Sequence, residues 1–232
     1  MTIIDTIGSS ISEPSPLRLG VIVGATRPGR KAAQVAAWVR DLAARHPQVQ
    51  AGRLELRPID LAEVGLPLLD EPVAAAFGDY LHPHTRTWAE TIRACDGFVF
   101  VTPEYNHSIP AALKNALDYL YTEWHHKPAG IVSYGLVGGT RAAQHLRTIL
   151  LELKSVPVGE VTLSVFEDFT YTDMTDPASP FEVAPRDHQP PAVIELLDHL
   201  VAYAEALAPL RVALAPIVGA TVAGAGGDAT GP

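Results

Sequence analysis

Arg27 and Arg30 stand three residues apart in the segment Gly24-Ala25-Thr26-Arg27-Pro28-Gly29-Arg30. Two guanidinium groups and a hydroxyl within one glycine-bounded turn suit an oxyanion. Arginine gives forked, charge-assisted bonds to phosphate oxygens, and Thr26 adds a hydroxyl donor. Gly24 and Gly29 let the backbone turn sharply and approach a ligand. The segment lies between an apolar run and a helical stripe. The N–H groups of Ala25 and its neighbours therefore sit near a helix N-terminus, where exposed donors and the dipole attract anions. Two other phosphate readings fail. A P-loop needs Gly-Lys-Ser/Thr, but Arg30, Lys31 and Ala32 follow Gly29. The dinucleotide fingerprint needs a third glycine that is absent. By itself the turn fits either a phosphate-bearing ligand or an ordinary βα turn with two solvated arginines.

Two further segments carry usable groups. Pro103-Glu104-Tyr105-Asn106, running on through His107 and Ser108, follows the apolar run Phe98 to Val101. It offers backbone donors and acceptors, a ring and an amide, which suit a planar heterocycle. Glu104 has the chemistry of a general base, but no partner is evident for it, so no catalytic side chain is assigned. Ser133-Tyr134-Gly135-Leu136-Val137-Gly138-Gly139-Thr140-Arg141 follows another apolar run. Its glycines allow N–H groups to cradle a ring edge or an anion. There is no G-x-S-x-G elbow, so serine hydrolysis has no support.

The elements that position these loops are legible as periodicities. Leu17 to Val23 reads as a buried parallel strand. Val35, Trp38, Val39 and Leu42 fall on one helical face. Leu54, Leu56 and Ile59 fit a second strand, and a Pro-containing connection covers roughly Leu61 to Pro83. Trp88, Ile92 and Cys95 form a helical stripe ended by Asp96-Gly97. Phe98 to Val101 is the third strand. Pro110 suits the first turn of a helix whose inward stripe is Leu113, Ala116, Leu117 and Leu120. Ala129 to Tyr134 is the fourth strand, and Leu146, Ile149, Leu150 and Leu153 repeat the helical spacing. Val161, Leu163 and Val165 alternate, as expected of a half-exposed edge strand. A polar loop from Glu167 to Pro191 precedes a last helix marked by Val193, Leu196, Leu197 and Leu200. Five alternations predict an α/β fold, a doubly wound five-stranded parallel sheet with helices on both faces. Loops after strands one, three and four then fall on one side of the sheet, where ligands bind in open α/β folds.

Composition sets the outer bounds. The chain has 232 residues, 47% of them hydrophobic, and a net charge of −9. That charge, with no Lys/Arg block, argues against a nucleic-acid surface. Residues 1–16 read as a loose tail without signal-peptide character, 17–209 as one domain, and 210–232 as an Ala/Gly-rich tail too short in apolar residues to span a bilayer. The single cysteine, Cys95, fits a reducing, cytoplasmic setting and a buried position. His82 and His84, and His125 and His126, read as solvated loop residues. Tyr121 and Trp124 fit either a subunit interface or the wall of the pocket.

Taken together, the three segments and Lys114-Asn115-Ala116-Leu117-Asp118 resemble the NADPH-dependent FMN reductase family, over about Leu17 to Leu207. The resemblance implies a flavodoxin-like fold, non-covalent FMN, NADPH or NADH as donor, and a homodimer or homotetramer. It implies the FMN phosphate on Thr26, Arg27 and Arg30, with the backbone of Ala25. It implies the isoalloxazine against Pro103, Glu104, Tyr105 and Asn106, and against Ser133, Tyr134, Gly135, Gly138 and Gly139. Gly138 and Gly139 are then the donors facing negative charge on a reduced ring. The family usually has serine where this chain has Ala25, which removes one hydroxyl donor worth about 1 kcal/mol. The expected activity passes hydride from NAD(P)H to FMN and then to a small-molecule acceptor such as free flavin or a quinone. The alternative is a flavodoxin-type electron carrier without NAD(P)H turnover.

Overall fold

The structure is a computed structural model that describes residues 15–176 and 179–214. Most of both expected tails, with Pro177 and Ala178, lies outside the described residues. The strands are β1 (Leu17–Val23), β2 (Leu54–Asp60), β3 (Gly97–Pro103), β4 (Pro128–Gly135), β5 (Val156–Ser164), β6 (Phe169–Tyr171) and β7 (Phe181–Val183). The helices are α1 (Ala32–Ala43), α2 (Pro47–Gln50), α3 (Leu61–Val64), α4 (Pro83–Arg93), α5 (Ala111–Asp118), α6 (Thr140–Glu152) and α7 (Gln189–Ala213). The five-stranded sheet runs β2-β1-β3-β4-β5, with every pairing parallel.

Strand alternation divides the core in two. Ile22, Phe98, Phe100 and Ile131 point to one face and pack with Trp88, Ile92, Leu113, Leu117 and Leu146 from α4, α5 and α6. Leu19, Val21, Val99, Val101 and Val132 point to the other and pack with Val35, Val39, Val193, Leu197 and Leu200 from α1 and α7. β3 is buried at every residue, as its continuous apolar run requires of a central parallel strand. β5 is the edge strand that its alternation predicts, and a register shift after Ala129 leaves Gly130 paired with Gly159. Both glycines face Leu196: an added Cβ at either would approach its side chain to within 2.9 or 2.8 Å.

Several expectations need correction. The connection from 61 to 83 holds α3 and a 3-10 turn at Ala75–Phe77, and Pro83 is already helical. The polar loop from 167 to 191 contains the antiparallel β6–β7 hairpin, and α7 begins within it at Gln189. The last helix runs through Pro209 to Ala213, because Arg211 ties it to the Asp96 carboxylate and the His126 carbonyl. Trp124 is neither at an interface nor at a pocket. It is fully buried against Trp88, Phe98 and Phe100, with its indole N–H donating to the Leu117 carbonyl. His125 is half-buried against Tyr121, and its Nε2 has no partner. Burial and the nearby Lys154 push its pKa down to about 4. His82 and His84 are stacked on each other and bonded to Asp70. Among the described residues, no helix is long and apolar enough to cross a membrane.

Candidate functional site

The sheet changes winding direction at β1. Its two neighbours are β2 and β3, so the chain leaves β1 toward one edge and later returns to build the other. The loops after β1 and β3 must therefore diverge and leave a crevice at the C-terminal ends of the strands. Gly24 begins the first loop against β3, donating its N–H to the Val101 carbonyl at 2.8 Å. A Cβ at this position would lie 2.9 Å from that same oxygen and 3.0 Å from Leu113. Only glycine lets the loop leave the sheet so close to its neighbour.

Within Gly24–Lys31, Gly24 and Arg30 are the residues whose N–H groups donate to backbone carbonyls among the described residues. The remaining donors of the turn stay open. Ala25 is buried, whereas Thr26 and Arg27 are exposed. The Arg27 Nε donates to the Tyr105 hydroxyl at 3.0 Å, bridging the first and second loops across the crevice. Arg30 is held from below: its Nη2 lies 2.6 Å from Asp60, while its Nε is buried without a partner. Asp60 also caps α3 through the Ala62 N–H.

The second loop is a tight reversal. Tyr105 and Ser108 exchange both backbone hydrogen bonds, at 2.9 and 3.0 Å. Asn106 and His107 between them have φ of 50° and 67°, the pattern of a type I′ turn. Asparagine tolerates that region because its short side chain bonds locally. Asn106 is exposed at the tip, while Pro103 is buried at the base. The loop is tied to α6 on both sides of the turn. The Glu104 carboxylate accepts from the Arg141 N–H and Nη1, each at 3.0 Å, and Ser108 Oγ lies 2.6 Å from His145 Nδ1. Burial opposes the Glu104 charge, but the bonds from Arg141 and the Ala142 backbone outweigh it and hold the carboxyl below its ordinary value. A carboxylate this well paired is a poor proton acceptor.

The third loop stands beside the second, joined by the bond from the Glu104 N–H to the Tyr134 carbonyl. Ser133 directs its hydroxyl inward to the Gly138 carbonyl at 2.8 Å, so it braces the loop. The Tyr134 ring is buried in the α1–α7 half of the core, where burial pushes its phenol well up. The Gly138 N–H closes a turn onto Gly135. Gly138 and Gly139 have φ of 72° and 74°, and a Cβ at Gly139 would meet the Tyr134 nitrogen at 2.8 Å. Leu136 and Val137 are left exposed at the tip. Nine of the thirteen residues named from sequence lie in the three loops, whereas Pro103 still closes β3 and Ser133, Tyr134 and Gly135 are the last residues of β4, so the third loop begins after Gly135 and not at Ser133. The side chains of Ser133, Tyr134, Glu104 and Arg30 are committed within the protein. Asp60, Arg141 and His145 were missed as the groups that fix the site. Asp60 carried a signal, since it ends the strand next to β1. A cavity of about 270 Å³ opens on the β2 side, between Thr26, α3 and α5.

Residues 17–170 match the family described as NADPH-dependent FMN reductase. The chain is 37% identical over 155 residues to "NAD(P)H-dependent FMN reductase LOT6" of Saccharomyces cerevisiae, covering 64% of this chain and 81% of that protein. It is 38% identical over 165 residues to "NAD(P)H-dependent FMN reductase C4B3.06c" of Schizosaccharomyces pombe, covering 69% and 80%. Among solved structures, the flavoenzyme FerB of Paracoccus denitrificans, titled an NAD(P)H:(acceptor) oxidoreductase, superposes with a TM-score of 0.58. That match is at 22% identity and covers 82% of this chain and 98% of that one; it speaks to the fold alone.

Proposed function

Because the chain belongs to the NADPH-dependent FMN reductase family, we propose that its three loops form one FMN site that opens to NAD(P)H and then to a small electron acceptor. When bound, FMN supplies the redox chemistry, a two-electron transfer between NAD(P)H and that acceptor. The protein's part is binding, orientation and electrostatics. Thr26, Arg27 and the open N–H donors of the β1–α1 turn, including that of Ala25, hold the phosphate. Arg30, restrained by Asp60, adds its Nε. Pro103 to Asn106 form one wall and Gly135 to Gly139 the other, and Ser133 and Glu104 keep those walls in place.

The observation that carries this reading is the anion-binding capacity left over at the β1/β3 crevice, beyond the bonds of Arg27 to Tyr105 and Pro28 and of Arg30 to Asp60. Arg27 is exposed and Arg30 Nε is buried without a partner. A buried guanidinium N–H left unsatisfied costs on the order of 1–3 kcal/mol, and an anion in the turn relieves it. Ala25 removes a side-chain donor but leaves its backbone donor, so FMN still binds. The acceptor is a planar small molecule, free flavin or a quinone, that meets the apolar tip of Leu136 and Val137. The setting is cytoplasmic and the protein is a homo-oligomer, an assembly that covers the exposed Leu68, Phe77 and Leu81 of the β2–α4 connection.

The test is an absorption titration of the purified chain with FMN, followed by NADPH under anaerobic conditions. Tight binding followed by bleaching is expected. No flavin binding refutes the site. Flavin binding without NADPH or NADH oxidation leaves the electron-carrier reading in its place.

A further inference from the structure

Lys31 ends the phosphate turn, one residue after Arg30, and caps α1 without any side-chain cap bond. Its ammonium lies among a group of aromatic rings. Nζ lies 3.6 Å from the Phe181 ring centroid, 4.6 Å from that of Tyr171 and 6.0 Å from that of Phe169. These rings pack on one another and, through Phe169, on Tyr134 at the base of the third loop. Burial and the neighbouring Arg27 charge push the Lys31 amine down. A cation held by ring faces stays unneutralised but cannot swing to another partner.

We propose that Lys31 is a positioning residue that couples docking of the β6–β7 hairpin to retention of FMN in the turn; this rests on the FMN assignment above. Three cations stand within Arg27–Lys31. Arg30 is held by Asp60 through Nη2, Lys31 lies over the rings, and Arg27, with Nε on the Tyr105 hydroxyl, is the exposed cation of the three. The hairpin has anchors of its own. Its base is pinned by the buried Asp168 carboxylate, which takes Arg186 Nε at 2.9 Å and Nη2 at 3.1 Å. The Ala184 N–H donates to the Asp168 carbonyl, and the Tyr171 hydroxyl to the Val165 carbonyl. The hairpin also packs on α1 through the apolar residues of β7, so Lys31 adds a cation–ring tie at the very start of α1, next to the phosphate turn, to a contact made further along the helix. Tyr171 and Phe181 also lie beyond the family-matched residues, which end at 170. Coupling between two sites is reciprocal: if the docked hairpin favours FMN, then FMN must protect the hairpin.

The experiment compares the full-length apo-protein with its Lys31→Met, Lys31→Arg and Phe181→Leu variants. FMN affinity is read by flavin fluorescence, and amide exchange of residues 169–171 and 181–183 is followed with and without FMN. Lys31→Met and Phe181→Leu should each weaken FMN at least about threefold and at most about thirtyfold, the span of a cation–π contact. Lys31→Arg should restore it. FMN should slow hairpin exchange in the parent but not in Lys31→Met. FMN affinity in folded Lys31→Met equal to the parent's, or hairpin exchange indifferent to FMN in the parent, overturns the coupling while leaving the FMN site intact. A parent chain that binds no FMN overturns the site itself, and the coupling with it.

Discussion

Replacing Glu104 by Gln removes a charge from the N-terminus of α6 while keeping one acceptor oxygen. The carboxylate accepts from the Arg141 N–H and Nη1 and is mostly covered, whereas the Arg141 side chain is half exposed. Hydrogen bonds to a charged group contribute roughly 1.5–3 kcal/mol. The ion pair with a half-exposed guanidinium adds less than about 1 kcal/mol, and the helix N-terminus about 0.5 kcal/mol. With one bond retained by the amide, Glu104→Gln should cost about 2 kcal/mol at neutral pH. In a domain of this size that corresponds to roughly 4–8 °C in Tm. The pH dependence has a definite sign. The folded carboxyl lies below its ordinary value, so its contribution is complete above the unfolded pKa of about 4.3 and fades as pH falls through the lower folded value. Melting curves of parent and variant should differ at pH 7 and converge on acidification below that range. Equal Tm at pH 7, or a difference that persists in acid, refutes the clamp. A large loss of NADPH oxidation with unchanged Tm and unchanged FMN affinity would instead make Glu104 the acid–base group that its pairing argues against.

Arg27→Ala should weaken FMN roughly tenfold to a hundredfold, the loss of one charge-assisted contact; fluorescence titration checks this, and unchanged affinity removes the phosphate assignment. Lys127 is buried with its ammonium on the Ile92 and Arg93 carbonyls, and burial pushes its pKa down to about 8. Between that value and its ordinary one of about 10.4 the unfolded chain binds the extra proton, so stability should rise with pH across this window. Urea midpoints of Lys127→Met should lack that rise. Trp124→Ala should destabilise by about 3–5 kcal/mol, measured by urea unfolding, since it leaves a void among Trp88, Phe98 and Phe100.

The parallel sheet was legible because its central strands are continuous apolar runs and its helices keep one stripe each. The three loops were legible for the same reason, since each had to follow a strand end. What each side chain does there was less so. Arg30 looks free in sequence, and only the β1–β2 pairing brings Asp60 beside it. Glu104 and Arg141 are far apart in sequence and meet because β3 and β4 are adjacent. The β6–β7 hairpin escaped because three-residue strands are too short for alternation to register, and its rings are spaced as in any polar loop. Trp124 was misjudged because α5 ends at Asp118. The 3-10 turn that follows then swings the indole into the core, where helical spacing cannot be extrapolated.

Gly130 and Gly159 lie side by side on β4 and β5, and both meet Leu196 of α7. This makes a keyed joint, in which two missing side chains form the slot and one leucine the key. Its consequence is evolutionary. An added methyl at either glycine makes the Leu196 side chain shift, and a smaller residue at 196 leaves a void, so each single substitution should cost stability that a matched pair recovers. A library that varies them together should recover pairs such as an alanine at 130 or 159 with a smaller residue at 196.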